Sequence, residues 1–176
     1  MNLSTTPDKY VTSSGCRLSA DLEILRHSAI FSGLNLDVVK LFAYLSNHRM
    51  LKPGDVLVEQ GSKAEKAFLV ISGSAVVTVE HRGRTVTLQR VEEGSFFGEL
   101  ALLAPFKWFF NVQALDDLEV LIIARTAFQK VIDKYPKYKD TLIERLVQMR
   151  IGRLANQTAA MLDQMLDEDT KAEIII

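Results

Sequence analysis

Gly94-Ser95-Phe96-Phe97-Gly98-Glu99-Leu100-Ala101-Leu102-Leu103 is the stretch that decides the fold. Its two glycines let the backbone bend sharply and let another molecule approach closely. Leu100 to Leu103 are good helix formers, so a short helix is expected just after Gly98. The first N–H groups of a helix have no partner within it. Here they would face the turn, which makes a natural phosphate site. Glu99 stands at the mouth of that turn, where a carboxylate accepts hydrogen bonds from sugar hydroxyls.

Upstream of this stretch the chain reads as short strands. Pro53-Gly54-Asp55 is a turn. Val56-Leu57-Val58 is a strand ending at Gly61, and Ser62 to Lys66 is polar and too short for more than a helical turn. Phe68 to Ile71 runs into Gly73, Ala75 to Glu80 follows, and Arg82-Gly83 marks a hairpin. Thr85 to Gln89 alternates polar and apolar residues, as a half-buried strand does. Downstream, Val112 continues a strand after Pro105. Asp116-Asp117 is a turn, and Leu118 to Ile123 is the last strand. Short strands with glycine turns at this spacing indicate an antiparallel barrel or sandwich.

Helices flank the strands. Leu22, Leu25 and Ile30 prepare a short first helix or turn ending near Gly33. Asn35 is an N-cap for a second helix, in which Val38, Leu41, Phe42 and Leu45 form one apolar stripe stopping at Asn47. Helix returns near Thr126, with Phe128, Val131 and Ile132 on one face, and Pro136 closes it or bends it into the next. From Lys139 a long helical pattern runs to about Leu166. Val147, Ile151, Leu154, Thr158, Met161 and Met165 recur at alternating steps of four and three, a heptad seam with one polar member. It spans roughly 28 Å at about 1.5 Å per residue. A small barrel offers too little surface to cover it, so pairing of this helix between two chains is expected. Four segments follow: a flexible arm over 1–18, a domain over 19–135, a dimerisation-type helix over 136–168 and an acidic, then apolar, tail over 169–176.

Composition narrows the function. The 176 residues carry 21 Lys and Arg against 22 Asp and Glu, and this balance lacks the footprint of a general nucleic-acid binder. Cys16 is the single cysteine, so no intrachain disulfide or cysteine metal cluster forms, which suits a reducing, cytoplasmic setting. No apolar run approaches membrane-spanning length, and the N-terminus lacks the apolar core of a signal peptide. His27, His48 and His81 are isolated. Ser72-Gly73-Ser74 is a turn without the pattern of a nucleophile elbow. Arg145, Arg150 and Arg153 read as one solvated side of the long helix. No nucleophile–base pair or metal constellation is present, so no enzymatic role and no metal are expected.

Phe31-Ser32-Gly33-Leu34, Pro53-Gly54-Asp55, Gly61, Ile71-Ser72-Gly73, Gly94 and above all Phe97-Gly98-Glu99-Leu100-Ala101-Leu102-Leu103 together resemble the cyclic-nucleotide-binding domain family, over Leu25 to about Tyr135. The family includes bacterial catabolite activators and protein kinase A regulatory subunits. The resemblance implies a mainly β fold with flanking helices, an eight-stranded β-roll. It implies that Leu100 and Ala101 present N–H groups to a cyclic phosphate and that Glu99 meets the ribose 2′-OH. The family places an arginine nine positions after that glutamate, where it pairs with the phosphate. Here the position is Trp108, followed by Phe109, Phe110 and Asn111. Lys107 is adjacent, but a one-residue offset in an extended segment sends its side chain to the opposite face.

Three readings of the aromatic triplet stay open. It fills the emptied pocket, it lines a pocket for a flatter or more apolar ligand, or it points outward to a partner. Glu99 is either a ligand contact or a partner for nearby backbone N–H groups. The ligand-site candidates are Phe97, Gly98, Glu99, Leu100, Ala101, Lys107, Trp108 and Asn111. The expected function is a regulatory module, homodimeric through the C-terminal helix, with weak or lost cAMP or cGMP binding and a separate effector protein. No DNA-binding domain and no membrane contact are expected. The alternative is a genuine cyclic-nucleotide or other small-ligand sensor with a non-standard pocket.

Overall fold

The computed structural model describes residues 11–173. In chain order, α1 (Val11–His27) and α2 (Leu36–Leu45) precede β1 (Asn47–Leu51), β2 (Val56–Val58), β3 (Lys63–Ala64), β4 (Lys66–Ser72), β5 (Ser74–His81), β6 (Arg84–Glu92) and β7 (Phe96–Phe97). Then come α3 (Leu100–Leu103), β8 (Phe106–Lys107), β9 (Asn111–Ala114), β10 (Leu118–Ala124), α4 (Arg125–Lys134) and α5 (Lys139–Glu173). Every pairing is antiparallel, in the orders β1-β10-β4-β7, β2-β9-β5-β6 and β3-β8. This is the expected β-roll with flanking helices and a long C-terminal helix, but with ten strands instead of eight, the two-residue β3 and β8 forming a small ladder of their own.

Alternation along β4 and β10 sorts their side chains into two cores. Phe68 and Val70 of β4, with Leu118 and Val120 of β10, face into the roll. Ala67 and Leu69, with Leu121 and Ile123, face the helices, where Leu25, Phe31, Phe42, Phe128, Leu142 and Leu146 cover them. Both faces of β4 are buried, which is why its sequence is a continuous apolar run. Phe96 and Phe97 divide in the same way, one to each core.

Asn35 caps α2 as expected, its side chain accepting from the Asp37 N–H at 2.8 Å. The turn between β4 and β5 is clasped by Asp116, which accepts from the Ser74 N–H at 2.6 Å and from the Ser74 hydroxyl at 2.7 Å. Those Ser74 bonds, helped by the charge of Arg90, hold the Asp116 carboxyl below the usual carboxylate range. A carboxyl depressed on folding stabilises the protein above its unfolded value, and that share is lost as pH falls through the folded one. Acid denaturation is therefore expected to take more stability from the wild type than from Asp116→Asn between about pH 5 and about pH 3. Chemical-denaturation midpoints measured across that range check it.

Four expectations are corrected. The stretch given to a flexible arm over 1–18 is helical from Val11, and residues 1–10 lie outside the described residues. Residues 17–20 are exposed, so no buried periodicity marked the helix. Ser62 to Lys66 is not a helical turn. Lys63 and Ala64 pair with Lys107 and Phe106, partners more than forty residues away that local pattern does not reveal. Asn47 to Leu51 forms β1, an unforeseen strand in which only Leu51 is buried. Finally, α5 continues through Glu173, past the expected end at 168, and Ile174 to Ile176 lie outside the described residues.

Candidate functional site

The decisive stretch folds as a turn, a two-residue strand and one turn of helix. Gly98 sits at φ +79°, and a Cβ there would lie 2.8 Å from the Lys66 carbonyl and 2.8 Å from Cη2 of Trp108. The close approach that glycine permits is thus taken by the chain's own indole. Trp108 is 5% exposed, and its ring meets those of Phe68, Phe106 and Phe110 at centroid distances of 6.3, 5.4 and 5.2 Å. Its backbone is fixed as well, the N–H donating to the Ser62 carbonyl at 2.9 Å and the carbonyl accepting from Gly61 at 2.6 Å.

The residues around Trp108 alternate. Lys107 is exposed, Phe109 is 54% exposed and Phe110 is half-buried against both neighbours. The triplet therefore divides between two of the three readings: Trp108 is inside the roll and Phe109 faces outward. Asn111 accepts from the Gln60 N–H at 2.8 Å. Phe97 stacks on Phe68 at 5.2 Å inside the roll.

Glu99 is 3% exposed, and its Oε2 lies 3.0 Å from Nη1 of Arg153, which reaches down from α5. Nη2 of the same guanidinium donates to the Phe96 carbonyl and lies 3.7 Å from Sδ of Met149. Leu100 is partly exposed. Ala101 is buried, and its N–H donates to the Gly98 carbonyl at 2.9 Å. The carbonyls of Ala101 and Ala104 accept from Arg125 at the start of α4, at 2.6 and 2.9 Å. Among the described residues no buried side-chain nitrogen or oxygen lacks a hydrogen-bond partner, so no orphaned side chain is aimed into the cradle.

Two arginines expected on a solvated helix face are bound to the body. Arg145 donates to the Ile30 and Ser32 carbonyls at 2.8 and 2.7 Å, and Arg153 binds Glu99, so neither lies on a solvated side. The available signal was spacing: Leu142, Leu146, Met149 and Arg153 follow one another at four, three and four, one helical stripe. His48 is not isolated either. Its Nε2 lies 2.6 Å from Asp21 and its Nδ1 2.9 Å from Glu119, which ties α1 to the β1–β10 ladder. No group of His, Cys, Asp and Glu among the described residues could hold a metal.

Beyond Arg153, α5 leaves the body. Val147, Ile151, Leu154, Met161 and Met165 are between 39% and 64% exposed, and Thr158 is exposed too, its hydroxyl donating to the Leu154 carbonyl at 2.8 Å. The stripe is therefore not packed on the chain's own roll. No helix among the described residues is long and apolar enough to cross a membrane.

A roll of antiparallel sheets, a glycine-bounded turn leading into one helical turn, and a long helix laid over that turn define a cyclic-nucleotide-type module. The family model described as cyclic nucleotide-binding domain matches residues 48–135, and this chain belongs to that family. A cAMP-dependent protein kinase regulatory subunit of Candida albicans is 31% identical over 83 residues, 47% of this chain and 17% of that protein. The chain spans less than a quarter of the length of the first curated relatives it matches. A cyclic nucleotide-binding domain from Methylobacillus flagellatus has the same fold, with a TM-score of 0.72 at 17% identity, over 84% of this chain and 83% of that one. The regulatory subunit of a cAMP-independent protein kinase A from Trypanosoma brucei, solved as a triple mutant bound to cAMP, aligns with a TM-score of 0.59 at 21% identity, over 71% of this chain and 48% of that one.

Proposed function

We propose that this chain is a non-enzymatic regulatory module whose roll is closed from within, so that cAMP and cGMP bind weakly or not at all and α5 stands docked without a messenger. One observation carries the reading: the Trp108 indole occupies the contact surface of Gly98 while Arg153 holds Glu99. Loss of one member of a buried charge pair costs about 3–5 kcal/mol. At about 1.4 kcal/mol per decade, a micromolar ligand that loses its arginine falls to about the millimolar range. A helix N-terminus offsets only about 0.3–2 kcal/mol of that. Lys107 is exposed beside a buried Trp108, so it does not replace the missing guanidinium. The Trypanosoma protein offers a parallel: it is the regulatory subunit of a cAMP-independent protein kinase A, and a mutant of it, one change of which introduces an arginine, was captured with cAMP.

Calorimetric titration tests this reading. The expected result is no saturable heat from cAMP or cGMP up to about 1 mM, and a gain of binding in Trp108→Arg. Submillimolar affinity in the wild type would overturn it.

The exposed seam of α5 supports a parallel homodimer. Ile151 and Thr158 alternate with Leu154 and Met161, and β-branched residues in the first set with Leu in the second favour two strands. The flanking positions Gln148, Arg150, Ala155, Gln157, Leu162 and Gln164 carry a single charge, so nothing in them selects a partner of different charge. Leu154→Glu is expected to convert a dimer to monomer in sedimentation equilibrium at micromolar concentration. A wild-type chain already monomeric there contradicts the pairing. Output then passes through the paired helices to a separate effector protein, in a cytoplasmic setting.

A further inference from the structure

A cavity of about 370 Å³ opens beside Trp108, among β1, β2, β3 and the start of β4. Its apolar wall includes Trp108 and Phe68, and none of Gly98, Glu99, Leu100 and Ala101 lines it, so it is distinct from the cradle described above. Its volume is at the small-ligand end of the usual range of about 300–1,000 Å³.

The charges around it are unusual. Arg49, Lys63 and Lys66 line the cavity, and in the β3–β8 ladder Lys63 stands directly opposite Lys107. Like charges directly opposite each other in a ladder are destabilising. Glu59 and Glu65 also line the cavity. Yet among the described residues none of these four cations forms an ion pair with them or with any other carboxylate. The cations outnumber the carboxylates, and the opposed lysines are left uncompensated.

We propose that this cavity binds a small organic anion, with an apolar body along Val56 and Ile122 at the mouth of the cavity and a phosphate, sulfonate or carboxylate set among Arg49, Lys63 and Lys66. Such an anion removes the cross-strand repulsion that the chain leaves standing. It also bears on the plug: the Trp108 backbone is bonded to Gly61 and Ser62, which adjoin Lys63. The chemistry does not require the closed cradle and stands or falls separately from it.

The probe is 1-naphthyl phosphate, read by the indole N–H resonance of the chain's single tryptophan. A saturable shift is expected, weakened by salt and weakened at least about tenfold in Lys63→Ala/Lys66→Ala. Inorganic phosphate alone and neutral 1-naphthol are each expected to bind far more weakly. The double variant loses a repulsive pair, so its thermal midpoint stays level or rises, and weaker binding is then not a folding defect. No saturable shift, equal affinity in the double variant, or equal affinity for 1-naphthol would each overturn the proposal. So would a response confined to phosphatidylserine vesicles, which would assign the lysines to a lipid headgroup instead of a soluble ligand.

Discussion

Trp108→Ala is expected to destabilise the fold by about 3–5 kcal/mol, the range for deleting a large buried aromatic side chain. The indole is 5% exposed and is ringed by Phe68, Phe106 and Phe110, so its removal opens a void that these rigid neighbours close only in part. It also uncovers the face of Gly98 that the indole packs against. Phe109→Ala, one residue along, is the internal control. That ring is 54% exposed and should change stability by no more than about 0.5 kcal/mol. Urea denaturation reads both, with a shifted midpoint and an unchanged slope expected for Trp108→Ala. Equal, small effects at the two positions would mean that the indole is not part of the core.

Arg153→Ala is the second large effect, at about 3 kcal/mol, the lower end of the range for breaking a buried pair. The lower end applies because the arginine side chain is 31% exposed, whereas that of Glu99 is 4% exposed. The cost comes from the carboxylate left behind, together with the Phe96 carbonyl that loses its donor. The combined variant Glu99→Gln/Arg153→Met removes the charge along with its partner and should cost less than Arg153→Ala alone. That ordering separates a charge pair from simple side-chain truncation, and thermal midpoints of the three proteins establish it.

The sequence and the structure agree where local chemistry dictates geometry. Asn35 needed only its own side chain to declare a helix start, and Leu100 to Leu103 needed only helix formers after a glycine. The β4 run was visible because both of its faces are buried. β1 was not, because Asn47 to Met50 leave no side chain fully buried and the strand exists through its pairing with β10. The same limit applied to the site. That an indole replaces the expected arginine could be read directly, but whether it turns inward depended on the Ser62 and Gly61 backbone, which meets Trp108 only after folding. Arg153 was harder still. A charged residue on a helix defaults to solvent, and only the position of α5 over the cassette turns it toward Glu99, fifty-four residues away.

Arg153 ties α5 to the cassette through Glu99 and the Phe96 carbonyl. A ligand shifts such an arrangement only by the difference in its affinity for the two states. On the proposed reading, Glu99 paired with Arg153 and Gly98 covered by Trp108 leave little differential affinity for a cyclic nucleotide to exploit.

Amide hydrogen exchange over residues 142–153 of α5, measured on the ligand-free protein and again with excess cAMP, tests this most directly. Strong protection in the ligand-free state, unchanged when the nucleotide is added, is the expected result. Rapid exchange in that segment without ligand, slowed when cAMP is present, would contradict it.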